Sequence, residues 1–294
     1  MTKSIRDSAS VSGSHGQEIR DGKRFAFGQN WARFLGLLNE QRIARAEASL
    51  SVMLGVTHLN GRTFLDVGSG SGLFSLAARR LGARVHSFDF DPQSVACTRE
   101  LKRRFYADDP QWTVEEGSVL DRAFLDRLGV FDIVYSWGVL HHTGAMWVAI
   151  ENVNHVVDAF GKVFIALYND QGRASKYWWH IKKAYVSLPK PLRFLVMAPC
   201  FLRLWGPTTI RDLIMLRPFA TWRTYASDRG MSPFRDVVDW VGGFPFEVCK
   251  PEEAFDFFRA KGYELLKMRT SAGGHACNEF VFERNPRPQE GSPD

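Results

Sequence analysis

The strongest constraint on this chain lies between Thr63 and Asp91, in the stretch TFLDVGSGSGLFSLAARRLGARVHSFDFD. Phe64, Leu65 and Val67 form a short apolar run that stops at Gly68-Ser69-Gly70-Ser71-Gly72, and Leu73 to Leu81 continues with helical spacing. This is a strand, a glycine turn and a helix. Without a Cβ, the turn can take angles closed to other residues and lets a ligand approach the main chain and the helix N-terminus. Val85 to Phe88 supplies a second strand that ends at Asp89, where a carboxylate can accept hydrogen bonds from ribose hydroxyls.

Spacing separates the nucleotide binders that share such a turn. The dinucleotide pattern G-x-G-x-x-G requires a third glycine where this chain has Leu73, whereas Asp66-Val67-Gly68-Ser69-Gly70-Ser71-Gly72 follows D-x-G-x-G-x-G. At these residues the chain resembles the class I S-adenosylmethionine-dependent methyltransferases. The resemblance implies an α/β fold, a doubly wound, seven-stranded, mostly parallel sheet of the Rossmann-like methyltransferase type, with S-adenosyl-L-methionine as cofactor. It further implies that Asp66, Gly68, Ser69, Gly70 and Gly72 lie against the methionine part of the cofactor, with Asp89 and Phe90 at the ribose.

The rest of the chain falls into order around that unit. Residues 24–60 read as N-terminal helices, with apolar positions at Trp31, Phe34, Leu35, Leu38, Ile43, Ala46, Leu50 and Leu54; Phe25, Phe27, Asn30 and Trp31 are candidates to cover the cofactor, as such helices do in the family. Within the core, 61–170, Pro92 opens a helix, Trp112 to Glu116 makes a third strand and Phe131 to Ser136 a fourth, buried one. By resemblance, Ser118 and Val119 after strand 3 flank the adenine, and Ser136 and Trp137 at the end of strand 4 border the transferring methyl group. Lys162 to Leu167 reads as a fifth strand. Residues 171–250 break the alternation and read as a helical cap insertion divided by prolines. Residues 251–284 supply a helix and a closing hairpin, and 1–23 and 285–294 read as a disordered leader and tail.

Composition bounds the partners. The chain is 45% hydrophobic and 24% charged, with no apolar run long enough to span a bilayer and no secretory signal, so a cytoplasmic protein is expected. Cys97, Cys200, Cys249 and Cys277 show no C-x-x-C spacing, which argues against structural zinc and a disulfide framework. The formal net charge of +6 is local: Gln171 to Tyr225 holds ten Lys or Arg against Asp212, leaving the remainder slightly acidic. That insertion also carries Trp178, Trp179, Phe194, Phe201, Trp205 and Trp222, read either as pocket lining or as the cap's own core. Lys182, Lys183, Arg193 and Arg203 point to an anionic partner.

Methyl transfer from a sulfonium is an in-line displacement, so the protein mainly aligns donor and acceptor. An oxygen acceptor must also lose a proton, and histidine suits that task. His141 and His142, just past strand 4, are the candidate bases, with His275 in a hairpin expected to face the same pocket. Ser136-Trp137-Gly138-Val139 differs from the Asn/Asp-Pro-Pro-aromatic loop of the amino-methylating nucleic-acid enzymes of this fold, which moves base methylation down the order. The expectation is a small-molecule acceptor of lipophilic or anionic character, methylated at oxygen. RNA or protein docking on the basic insertion, contact with an anionic membrane surface and a cofactor-binding protein without catalysis are the alternatives.

Overall fold

The computed structural model describes residues 15–28, 31, 35–229, 233–272, 274 and 276–285. Expectations for residues 1–14, Asn30, Phe34, His275 and the tail beyond 285 lie outside them. Helix α1 (His15–Arg20) falls inside the segment read as a leader, and its His15 is buried, which corrects the boundary at residue 23. Helix α2 (Glu40–Leu54) is capped by the Asn39 side chain, which accepts from the Arg42 N–H, and ends at Gly55 in a left-handed conformation.

The core then alternates: β1 (Thr63–Val67), α3 (Leu73–Arg80), β2 (Arg84–Asp89), α4 (Pro92–Tyr106), β3 (Trp112–Glu116), α5 (Arg122–Leu128), β4 (Phe131–Trp137), α6 (Met146–His155) and β5 (Val157–Tyr168). The cap follows as α7 (Arg173–Ser187), α8 (Phe194–Ile214), α9 (Ala220–Arg229) and α10 (Pro233–Gly242), and α11 (Pro251–Ala260), β6 (Tyr263–Arg269) and β7 (Cys277–Arg284) complete the fold. The seven strands stand in the order β3-β2-β1-β4-β5-β7-β6. The first five pair in parallel, and β7 runs antiparallel between β5 and β6.

Both faces of the sheet are buried along its central strands, and these show it residue by residue. Phe64, Ile133, Tyr135, Phe164 and Val281 face α2, α3 and α4, while Leu65, Val134, Val163, Ile165, Phe280 and Phe282 face α5, α6 and α11. The alternation follows from the two-residue period of a strand, and each fully buried large apolar side chain contributes roughly 1.5–3 kcal/mol. The Trp112 indole N–H in the core donates to Ser87 Oγ at 2.9 Å.

The cap departs from its expected subdivision. Prolines were read as helix ends, yet α8 runs through both Pro199 and Pro207. Each proline removes one backbone donor and clashes with the preceding turn, so such a helix bends rather than stops when packing holds both halves. Packing does so here, because Trp178, Tyr185, Met197, Cys200, Trp205, Val237, Val241 and Phe246 make a third apolar cluster inside the cap.

Candidate active site

The carboxyl ends of β1, β2 and β4 meet at the glycine turn. Gly68, Gly70 and Gly72 have φ of 83°, 54° and 78°, the left-handed region. Space requires glycine as well: a Cβ on Gly68 would lie 2.4 Å from Val139 Cγ1, and one on Gly72 3.0 Å from the Thr98 main chain. The turn is tied to β2, since Gly68 and Ser69 N–H donate to the Phe88 carbonyl at 2.9 and 3.0 Å. Gly70 N–H donates to Asp89 Oδ2 and Asp91 N–H to Asp89 Oδ1, both at 2.9 Å. Burial pushes the Asp89 carboxyl up to about 6, against the two backbone donors that favour its charged form.

Asp66 sits beneath the turn. Its buried carboxylate accepts from Ser75 Oγ at 2.5 Å, and burial first, with the Asp89 charge adding, pushes it up to about 7. The side chain of Ser69 likewise turns inward, to Thr98 Oγ1 at 2.9 Å.

The segment before α2 contributes His15, Arg24 and Gly28, which the sequence reading did not name, beside Phe25, Phe27 and Trp31, which it did. Gly28 N–H donates to Asp91 Oδ2 at 2.8 Å, and His15 Nε2 lies 3.6 Å from the same oxygen. Burial lowers the His15 pKa. Arg24 binds Glu18 at 2.5 Å, places its guanidinium 5.1 Å from the Phe90 ring centre and donates to the His142 carbonyl at 2.9 Å. Trp31 closes over Gly70, 3.1 Å from where its Cβ would be. Phe25 and Phe27 pack edge to face, and Phe27 lies 5.0 Å from the His142 ring. Residues 15–28 and Trp31 therefore roof the ends of β1, β2 and β4. No motif marks His15, Arg24 and Gly28; the partners that tie them to the site, Asp91, Phe90 and His142, are more than 60 positions away.

The two histidines differ in hydrogen bonding. His142 Nδ1 lies 2.6 Å from the Pro245 carbonyl, and a carbonyl only accepts, so Nδ1 carries the proton and Nε2 keeps its lone pair. His141 Nδ1 accepts from the Tyr168 N–H at 3.3 Å, so Nε2 carries the proton there; it is buried with no partner among the described residues. Burial pushes His142 down to about 3 and His141 well below its ordinary range, so both rings are neutral. Glu247 holds the start of the next helix, its carboxylate accepting the Met146 N–H at 3.0 and 3.1 Å.

The remaining expected positions scatter. Ser136 Oγ donates to the Val67 carbonyl at 3.0 Å, stitching β4 to β1. Trp137 is 44% exposed and donates to Glu279 at 3.1 Å. Ser118 Oγ accepts from Leu120 N–H at 3.2 Å in the turn before α5, and Val119 packs into the sheet's core.

In the cap, Lys182 is wholly buried, donates to the Trp240 carbonyl and lies 4.0 Å from the Trp240 ring and 4.7 Å from the Phe246 ring. It is unable to meet an outside anion in this arrangement, which corrects that expectation; burial pulls it down to about 7. Beside it, Asp170, Lys176, Trp179, His180, Phe246 and Val248 line an open cleft. Phe246 also packs 5.4 Å from Tyr168, whose ring lies 3.9 Å from His141, so cleft and histidines share one aromatic wall.

Residues 65–165 match a family described as "Methyltransferase domain". Among curated proteins, the chain is similar to ribosomal protein L11 methyltransferases: 48% identical over 50 residues to that of Alteromonas mediterranea, 17% of each chain. With that of Anoxybacillus flavithermus it shares 28% over 118 residues, 35% of this chain and 38% of the relative. The chain thus spans well under half the length of these curated relatives. Among solved structures, an O-methyltransferase family protein from Burkholderia thailandensis superposes with a TM-score of 0.53 at 14% identity, covering 93% of this chain and 68% of the other. PKMT2 from Rickettsia typhi, in complex with AdoHcy, gives 0.53 at 13% identity, covering 83% and 53%. Both likenesses show the fold.

Proposed function

The chain carries a class I S-adenosylmethionine-dependent methyltransferase domain, and on that premise we propose that it moves a methyl group from this cofactor to a small-molecule acceptor, at oxygen. The residues present fit the cofactor. Three glycines keep their positions in the turn at the end of β1 free of side chains, and Asp89 is a half-buried carboxylate at the end of β2, the place a ribose diol takes in open α/β sheets. Bound there, the cofactor supplies a sulfonium methyl group.

The observation that carries the oxygen reading is the lone pair on His142 Nε2. The Pro245 carbonyl fixes the tautomer, and Phe27 and Arg24 hold the ring under the roof. An acceptor hydroxyl placed against that nitrogen would give up its proton there as its oxygen takes the methyl group. A weak base suffices, because the oxygen becomes strongly acidic once alkylated. His141, with its Nδ1 occupied, is a positioning residue: its ring packs on Tyr168, and its carbonyl accepts from Glu247 N–H at 2.9 Å. The open cleft beside Phe246 is the proposed approach for the acceptor.

The test is His142→Gln, which keeps a polar side chain and removes the basic nitrogen. Turnover is expected to fall about a hundredfold or more, with calorimetric affinity for S-adenosylhomocysteine unchanged. Near-normal turnover across pH would sink the base assignment. Labelled methyl donor offered to hydroxylated metabolites and to ribosomal protein fractions tests the acceptor class. Label entering protein alone would replace the small-molecule reading with one like that of the L11 methyltransferases.

A further inference from the structure

Helix α8 has two apolar faces, and the cap covers one of them. Met197, Cys200 and Trp205 point into the cap's core. On the opposite side Leu195, Ala198, Leu202, Gly206, Ile210 and Leu213 recur every three or four residues, a single helical face. Its four large side chains are 53–68% exposed. Exposed apolar side chains continue from Ile214, the last residue of the helix, into Met215, Leu216 and Phe219, with Leu216 88% exposed.

That tip is a built feature. Leu216 and Phe219 hold φ of 55° and 59°, which L-residues seldom adopt. Asp212 fixes the loop, accepting Thr221 N–H at 2.8 Å and Thr221 Oγ1–H at 2.6 Å, while its carbonyl accepts Arg217 N–H at 2.9 Å. The sole acid between Leu188 and Tyr225 is thereby turned inward. Around the ridge stand Lys190, Arg203, Arg211, Arg217 and Arg223, all exposed.

We propose that this ridge and tip dock the chain on an anionic lipid bilayer, the aliphatic side chains entering the interface and the cations meeting lipid phosphates. The inference is independent of the methyl-transfer reading. A protruding aliphatic edge rimmed by cations fits a headgroup layer, where buried apolar area and attraction to anionic lipid add. No helix among the described residues is long and apolar enough to cross a membrane, so the contact is interfacial. RNA fits less well, because Trp178 and Trp205, which would stack on bases, are spent in the cap's core. A second copy fits less well too, since a two-fold pairing of this face would set its own arginines against one another.

The experiment is flotation of the full chain with phosphatidylglycerol–phosphatidylcholine vesicles and with phosphatidylcholine vesicles, at low and near-physiological salt. Retention is expected on the anionic vesicles, weakening with salt. The Leu202→Gln/Leu213→Gln/Leu216→Gln variant should lose retention, and Arg203→Gln/Arg211→Gln/Arg217→Gln should lose roughly fivefold per arginine, with circular dichroism and melting unchanged in both. A fluorophore on Leu216→Cys should shift to the blue on anionic vesicles. Three results overturn the proposal: no retention of the wild type, retention indifferent to both variants, or a dimer in ultracentrifugation that the leucine variant breaks while vesicles are ignored. Retention on RNA without retention on vesicles overturns it as well.

Discussion

Asp89 illustrates what one carboxylate does at a strand end. It accepts two main-chain N–H groups at the end of β2, where we propose that ribose hydroxyls bind, with its pKa pushed up to about 6 by burial. Hydroxyl donors favour the ionised form, so affinity for S-adenosylhomocysteine should hold above that value and weaken as pH falls through it. Asp89→Ala should cost roughly 1.5–3 kcal/mol of binding at pH 7.5, and Asp89→Asn should flatten the pH profile. Calorimetry between pH 5 and 8 checks both; a wild-type profile already flat would detach Asp89 from the ribose. The turn at Gly68, Gly70 and Gly72 and the acid closing β2 were legible as structure because their spacing marks a strand, a turn and a helix, while their cofactor roles rest on the resemblance. The tautomer of His142 was not, since it depends on Pro245, 103 positions away.

Among the elements, the strands were legible to within a residue or two where both faces are buried, as in β1 and β4, because apolar runs bounded by turns define them. Strand β5 begins earlier than expected, at Val157 rather than Lys162, because a register shift between Phe131 and Ile133 lets its polar start pair with β4. The cap was legible as helical and basic, but charge along a sequence does not say which side chains face outward. Lys182 shows this: a cation by composition, it lies among aromatic rings with burial pulling it down to about 7. A lysine whose folded pKa is lowered stabilises the fold fully above its unfolded value near 10.4 and loses that contribution as pH falls through about 7. Lys182→Met should therefore raise the melting temperature at pH 6 more than at pH 9, by scanning fluorimetry. A lower melting temperature at both would mean that the Trp240 carbonyl and ring contacts outweigh the burial cost.

At the scale of the whole molecule, the sheet rests on two apolar clusters and the cap on a third, whereas the roof of residues 15–28 and Trp31 is held by a few polar contacts and rings at the ligand end. Such a segment should open locally before the sheet does. In hydrogen exchange, residues 15–28 are expected to exchange fast in the free protein and to slow on saturation with S-adenosylhomocysteine, with β4 and β5 slow throughout. Equal exchange in both states would remove the roof from the cofactor cycle. The strand order has a further consequence, for synthesis. Strand β5 receives its second partner only when β7 arrives, and Cys277 follows Tyr168 only after the cap, α11 and β6 have been made. Throughout that interval on the ribosome β5 is an open edge of bare N–H and C=O groups beside apolar side chains, ready to pair with a neighbouring nascent chain. The cap, folding in that same interval around its own aromatic core, is the part of this protein that can mature while the sheet waits to close.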